Sequence, residues 1–218
     1  MYKRLSLSKN WQQRQRTNVR KEDKGEIDME HPFLVGRDVY LRGLMKSDIE
    51  GPWFDWFNDQ ENTFFMFNGT YPVSYESHLD FYQQVIQSRD NLVLGICEKD
   101  NDRHIGNVGL HNINWLYRRA ELGIIIGDRK AQGKGMANEA MRLLIGHGFS
   151  RLNLHKIFLR AEEGNSAALK AFERIGFKGE GNLREEIRHH GKWRDSIYMG
   201  ILGTEFHEKR PEKEGSNT

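Results

Sequence analysis

Residues Gly127 to Ala140 read GDRKAQGKGMANEA and join the apolar, strand-like run Leu122 to Ile126 to a helical pattern. Gly133 and Gly135 allow positive φ and close backbone approach, so successive N–H groups can curl around an anion. The helix that follows adds the positive end of its dipole at the same place. The stretch therefore predicts a phosphate-binding turn made of main chain, with Lys134 as a mobile cation at its rim.

Two familiar phosphate motifs do not fit this turn. Five residues separate Gly127 from Gly133 where a P-loop has four, and Gly135 stands where that loop carries a magnesium-binding Ser or Thr. In the dinucleotide fingerprint GxGxxG, Asn138 occupies the third glycine position. The sequence therefore predicts a cradle that holds a pyrophosphate without a metal ion.

The composition is that of one catalytic domain. The chain has 218 residues, and its 33 basic and 31 acidic side chains leave a formal net charge of +2, so no nucleic-acid partner is implied by charge. Cys97 is the only cysteine, which excludes an internal disulfide and a thiolate zinc site. Because no signal peptide and no apolar run of about 18 residues occurs, we expect a cytoplasmic protein without a membrane partner.

The two ends of the chain differ in composition from its middle. Residues 1–31 are polar and rich in Lys, Arg and Gln, a composition that cannot bury enough surface to offset the entropy of ordering. We expect a disordered basic arm over 1–31, a folded domain over 32–207 and a polar tail over 208–218. A nucleic-acid module that works through the arm is a separate hypothesis, and it predicts steeply salt-dependent binding.

Between the ends, apolar periodicity alternates between strands and helices. The predicted strands cover residues 39–44, 92–97, 105–112, 120–126, 156–161, 177–188 and 192–202. Four helices are predicted, beginning near Ser47, after Ser74, at the GKG turn and at Asn165. Ser47 and Asn165 are expected to cap their helices, and Gly176 is expected to end the last one.

Three segments resemble the GNAT acetyltransferase superfamily, in family order and at family spacing. They are AELGIIIGDRKAQGKGMANEA (120–140), LNLHKIFLRAEEGNSAALKAFERIGF (152–177) and EEIRHHGKWRDSIYMGIL (185–202). The resemblance spans about residues 35–203 and implies an α/β (α+β) fold, a mixed and mostly antiparallel sheet of six to seven strands flanked by about four helices. The segments are similar to ribosomal-protein N-terminal, spermidine and nucleotide-aminosugar acetyltransferases, which implies N-acetylation of a primary amine by acetyl-CoA.

The resemblance also places acetyl-CoA along the turn, with no metal required. The pyrophosphate is expected on the backbone of Gln132, Gly133, Lys134, Gly135, Met136 and Ala137. The main chain of Ile125 and Ile126 is expected to pair with the pantetheine arm as an added strand would. Asn165 is similar to the family asparagine that touches this arm, and a plain helix cap is its alternative role.

The acceptor amine needs a base. An alkyl amine with a pKa of about 10.4 is mostly protonated at neutral pH, so presenting it as the free amine costs about 4 to 5 kcal/mol. Glu121 is the first candidate, because family members often carry a glutamate near the acetyl group on this strand; a salt bridge to Arg118 or Arg119 is its alternative role. His111 is the second candidate base.

The family's usual general acid is missing. The resemblance implies a tyrosine that protonates the departing CoA thiolate, but Phe172 stands at that position. Tyr198 or a water molecule is expected to replace it. With Phe172 in place, the alternative function is a CoA-binding regulatory or interaction protein that has lost catalysis.

The sequence leaves the acceptor open. Arg188, His189, His190 and Arg194 would suit a nucleotide phosphate, and Asp55, Asp59 and Glu61 would suit a polyamine. A peptide N-terminus also fits, and a solvated loop is the alternative for both sets. His189 and His190 are expected on opposite faces of a strand, which argues against a shared metal. The aromatic residues 53–57 would suit either the acceptor cleft or the interface of a homodimer.

Overall fold

The computed structural model describes residues 30–66 and 69–207 and centres on an eight-stranded sheet. Its order is β1-β2-β3-β4-β5-β6-β8-β7, and only β5 and β6 are parallel neighbours. The strands are β1 (Pro32–Val35), β2 (Val39–Gly43), β3 (Leu92–Glu98), β4 (His104–Asn114), β5 (Arg119–Ile126), β6 (Lys156–Glu162), β7 (Lys178–His189) and β8 (Lys192–Leu202). The mixed, mostly antiparallel sheet is therefore confirmed. The tail 208–218 and all of the predicted arm except Glu30 and His31 lie outside the described residues.

In residues 30–66 and 69–207, five α-helices accompany the sheet. They are α1 (Lys46–Ile49), α2 (Pro52–Asn58), α3 (Tyr75–Gln87), α4 (Met136–Ser150) and α5 (Ser166–Ile175). The Asn165 side chain accepts a hydrogen bond from Ala168 N at 3.2 Å, and Gly176 ends α5 with φ 119°. The predicted cap and stop of this helix are confirmed.

The described residues contain one strand and one helix more than the sequence predicts. The first predicted helix is divided at Gly51–Pro52, because proline cannot donate the hydrogen bond that would continue α1 but suits the first turn of α2. The predicted Ser47 cap is wrong, since Ser47 lies inside α1 and Asp48 accepts from Met45 N at 2.7 Å. The unpredicted strand is β1, four mostly exposed residues that pair with β2.

The sheet has two different faces. Helices α4 and α5 cover one, the α4–α5 face, where Leu122 and Leu144 belong to a large apolar core. Helices α1 to α3 cover the other, the α1–α3 face, where Trp53, Trp56 and Ile125 form a smaller apolar cluster. Because side chains alternate along a strand, β5 contributes to both clusters. No helix in the described part of the chain is long and apolar enough to cross a membrane.

Candidate active site

The sheet opens at its centre, between β5 and β6. These strands pair only at Arg119, Ala120 and Glu121, whose partners are residues 156–158. Pairing of β4 with β5 continues to Ile126, and pairing of β6 with β8 continues to Glu162. Residues 122–126 of β5 and 159–162 of β6 therefore border a wedge-shaped gap, called the wedge below, in which the facing main-chain groups have no strand partner.

The alternation of β5 decides which amides face the wedge. Gly127 N donates to Ile105 O of β4 at 3.0 Å, so the main-chain groups of every second residue before it, including Ile125, also point to β4. Those of Ile124 and Ile126 point into the wedge, and Ile126 O accepts from Gln132 Nε2 at 2.9 Å. The main-chain groups of Ile126 therefore face the wedge and those of Ile125 face β4, and Ile124 is the other residue whose main-chain groups face the wedge.

The phosphate turn lies at the end of β5, beside the wedge. Gly133 and Gly135 have φ of 75° and 85°, and a Cβ at either position would meet no atom within 4 Å. Gly135 precedes α4 without a side-chain cap, so the first N–H groups of this helix, including those of Met136 and Ala137, have no acceptor among the described residues. The turn thus offers uncapped amides and a helix dipole to an anion, and Lys134 is exposed at its rim.

The start of the turn is fixed against the α1–α3 face. A Cβ at Gly127 would lie 1.9 Å from the ring of Trp56, so only glycine fits this close approach. Asn62 Nδ2 donates to Gly127 O at 3.0 Å, and Gln132 Nε2 donates to Asn62 Oδ1 at 3.3 Å. The segment after α2 therefore holds the glycine turn in place.

The same segment uses two of the carboxylates that would suit a polyamine. Arg129 NH2 lies 2.5 Å from Asp59 Oδ2, and its other terminal nitrogen pairs with Glu61. The hydrogen bond from Arg129 lowers the pKa of Asp59. Only Asp55 of the three is not engaged with Arg129, so the cluster in this structure anchors the phosphate turn.

A row of polar side chains crosses the α1–α3 face at the narrow end of the wedge. His111 of β4 stands opposite Glu121 of β5, and Arg160 Nε of β6 lies 3.0 Å from Glu121 Oε1. The Arg160 guanidinium lies 5.7 Å from the ring centre of Tyr198, its partner on β8. These four residues are called the polar row below. The two candidate bases are thus neighbours, and the ion-pair partner of Glu121 is Arg160 rather than residue 118 or 119.

His111 occupies space left by two glycines. A Cβ at Gly109 or Gly123 would lie 2.7 or 3.1 Å from His111 Nε2, so the imidazole lies over this facing pair. Burial lowers the pKa of His111, and the nearby Glu121 carboxylate opposes that shift. A neutral imidazole at pH 7 can accept a proton. The pair Gly109 and Gly123 was the sequence signal for the position of the imidazole, but the two glycines are seen to face each other only once the strand register is known.

Phe172 and Tyr198 lie on opposite faces of the sheet. Phe172 is 9% exposed and belongs to the core of the α4–α5 face, 6.0 Å between ring centres from Phe177. Tyr198 belongs to the polar row. Tyr198, which was expected to replace the family's general acid if water does not, therefore lies near the wedge.

The histidine pair lies at the turn between β7 and β8. His190 and Gly191 have φ of 47° and 75° and connect the strands as a two-residue hairpin. The expectation that the two imidazoles face opposite ways is wrong, because His190 belongs to the turn, and the ring centres are 4.2 Å apart. His189 Nδ1 lies 2.8 Å from Glu162 Oε2. Across the described ranges, no group of three or more His, Cys, Asp or Glu side chains could hold a metal.

Comparisons with known proteins give the family. The model of the acetyltransferase (GNAT) domain matches residues 38–178. Spermidine N(1)-acetyltransferase of Escherichia coli (strain K12) is 30% identical over 171 residues, 77% of this chain and 88% of that protein. The Vibrio cholerae protein of the same name is 32% identical over 174 residues, which cover 79% of this chain and 97% of that protein. A crystal structure of spermidine N-acetyltransferase from Vibrio cholerae in complex with CoA and spermine matches with a TM-score of 0.72 and 30% identity, covering 77% of this chain and 97% of that one. This chain therefore belongs to the GNAT acetyltransferase family and is an N-acetyltransferase.

Proposed function

We propose that the protein transfers the acetyl group of acetyl-CoA to a primary amine of an alkyl polyamine, by direct attack in a ternary complex. The observation that carries this proposal is the wedge between β5 and β6, which ends beside the uncapped N-terminus of α4. A solved relative binds CoA and spermine, which supports both the cofactor and the acceptor class.

The turn and the wedge would hold acetyl-CoA along its length. The pyrophosphate would lie on the amides of residues 132–137, including Gly133 and Gly135, with Lys134 beside it. The pantetheine arm would pair with the main chain of Ile124 and Ile126. Gln132 donates to Ile126 O, and the second lone pair of that carbonyl would accept from the arm. Asn165 caps α5 and would also contact the arm.

The polar row would serve the proton transfers. His111 is the proposed base at the reacting amine, with Glu121 beside it to stabilise the imidazolium. Tyr198 is the proposed acid for the CoA thiolate, in place of the hydroxyl that Phe172 lacks. No step of this scheme uses a metal, and the cytoplasmic location remains a prediction.

Turnover with a panel of acceptors tests the proposal. CoA release would be measured with spermidine, an aminosugar nucleotide and short peptides, for the wild type and for Glu121→Gln and His111→Gln. We expect the polyamine to be preferred and each variant to lose about 10²-fold in kcat/KM. Glu173→Gln is the control, since Glu173 is an exposed carboxylate on α5, away from the polar row.

The alternative function makes the opposite prediction. A CoA-binding regulatory protein would bind acetyl-CoA and release no CoA with any acceptor. None of the three proteins described above favours that function, since each is named as an acetyltransferase. A clear preference for peptides or the aminosugar nucleotide would support acetyl transfer but contradict the polyamine as the acceptor.

A further inference from the structure

We propose that His189 and Glu162 form a second proton-accepting pair, beside the polar row, where the acceptor ammonium gives up its first proton. The proposal rests on the proposed function and assigns a step that the polar row leaves open. Its basis is a contact between the buried Glu162 carboxylate and the partly exposed His189 imidazole, on the face of the sheet that carries the polar row.

Glu162 lies next to the polar row. It follows Arg160 by two residues on β6, so both side chains point to the α1–α3 face, about 7 Å apart along the strand. Glu162 is 6% exposed. Its partner on β8 is Ser196, whose buried hydroxyl has no hydrogen-bond partner within the described chain. The Glu162 end of the pair therefore lies in a polar environment that is largely excluded from water.

The contact geometry orients the imidazole of His189. Its Nδ1 lies 2.8 Å from the Glu162 carboxylate, and from this proximity we assign the proton to Nδ1 and the acceptor role to Nε2. The ring packs against Phe64 at 4.8 Å and Phe65 at 6.1 Å between ring centres. The side chain keeps 20% of its surface exposed, so a proton taken at Nε2 can pass to water.

The imidazole belongs to a cluster with four other titratable or charged groups, of which Glu162 and His190 contact its ring. The four are Glu162 from β6, Glu163 after it, Arg194 from β8 and His190 from the turn. Arg194 Nε lies 3.9 Å from Glu162 Oε1, and its NH1 lies 4.0 Å from Glu163 Oε1. Glu162 is the carboxylate that contacts the His189 ring, with its Oε2 2.8 Å from Nδ1.

The proton balance of the reaction calls for two transfers. Converting an ammonium to an amide breaks two N–H bonds. The first proton must leave before the nitrogen lone pair attacks the thioester carbonyl carbon. The second leaves as the C–N bond is completed and the C–S bond breaks, and it ends on the CoA sulfur. One proton per turnover therefore reaches solvent. His189, whose side chain is 20% exposed, suits that first transfer, and the polar row suits the second.

The pH dependence of kcat/KM for the acceptor tests the pair. At pH 7, we expect His189→Gln and Glu162→Gln to lower this constant by about 10²-fold, with the KM for acetyl-CoA unchanged. The deficit should shrink as the pH approaches the amine pKa of about 10.4, because free amine then reaches the site from solution. The matched controls His190→Gln and Glu163→Gln should behave as the wild type does.

Two outcomes would overturn the pair. One is a loss in His189→Gln that is equal at every pH, which indicates a structural role. The other is an equal loss in His190→Gln. A nitrogen NMR spectrum of the imidazoles adds a readout without turnover: His189 should carry its proton on Nδ1 in the wild type, and its Nε2 signal should move when spermidine is added with CoA. An Nε2-protonated or unresponsive His189 contradicts the pair, even if no amine is acetylated and the proposed function fails.

Discussion

The two faces of the sheet are built on different principles. On the α4–α5 face, the side chains beneath the helices are apolar and almost fully buried, Leu144 and Ile157 among them. On the α1–α3 face, burial extends to ionisable groups: the Arg42–Asp48 ion pair, His78 and Glu162. The same strands supply both faces, because successive side chains point in opposite directions. One face can therefore hold the fold together while the other keeps polar groups near the wedge.

The largest expected effect comes from removing the buried Arg42–Asp48 ion pair, through which the α1–α3 face contributes to stability. Arg42 contacts the Asp48 carboxylate at 2.7 and 2.8 Å, and these side chains are only 4% and 5% exposed. Asp48→Asn leaves the guanidinium buried without its counter-charge, so we expect the free energy of unfolding to fall by about 3 to 5 kcal/mol in urea melts.

The exposed pair Arg37–Asp38 supplies the matched control for that substitution. Its side chains are 88% and 41% exposed, and water screens such a pair. Asp38→Asn should leave the urea midpoint almost unchanged. A similarly small change in Asp48→Asn would show that this face does not depend on its buried charges.

A smaller effect is expected on catalysis, from removing the Tyr198 hydroxyl on the α1–α3 face. Tyr198→Phe removes only a hydroxyl from the polar row, and we expect kcat to fall about 10-fold with little change in stability. Tyr117→Phe is the control, because Tyr117 is an exposed tyrosine between β4 and β5. Adding Phe172→Tyr to Tyr198→Phe asks whether a hydroxyl supplied from the α5 side restores the rate. An unchanged kcat in Tyr198→Phe would assign the proton to water.

The smallest effect concerns acid stability. His78 is 2% exposed, its ring nitrogens have no partner in the described structure, and burial lowers its pKa. Near pH 6.5 the unfolded chain therefore binds more protons than the folded one, and stability is lost as the pH falls through that range. His78→Phe should reduce the loss between pH 7 and 5 by about 1 kcal/mol in urea melts.

The control for this titration is an exposed histidine. His155→Gln should retain the full acid sensitivity of the wild type, since His155 is exposed. Part of the sensitivity should also persist in His78→Phe, because burial lowers the pKa of His104 as well. Identical pH profiles for His78→Phe and the wild type would contradict the assignment.

Features that depend on a few neighbouring residues were predictable. The glycine turn, the Asn165 cap and the Gly176 stop follow from local φ, missing side chains and short-range hydrogen bonds, and the structure has all three. The division of the first helix was within reach too, since Gly51–Pro52 is a local signal. These features need no knowledge of what lies across the sheet.

Features that depend on strand register were not predictable in the same way. The choice between Ile124 and Ile125 reverses with a shift of one residue. Arg160 was not predicted as the partner of Glu121, because the two residues are 39 positions apart. The Glu162–His189 contact needs the β7–β8 hairpin to fold back toward the end of β6.

The sequence alone determined the family, the sheet class and the position of the glycine turn, because each follows from local pattern and from motif spacing along the chain. Tertiary structure decided which charges pair, which amides face the wedge and where the histidines lie. The physical reason is that those properties arise when β5 and β6 diverge and distant strands come into register.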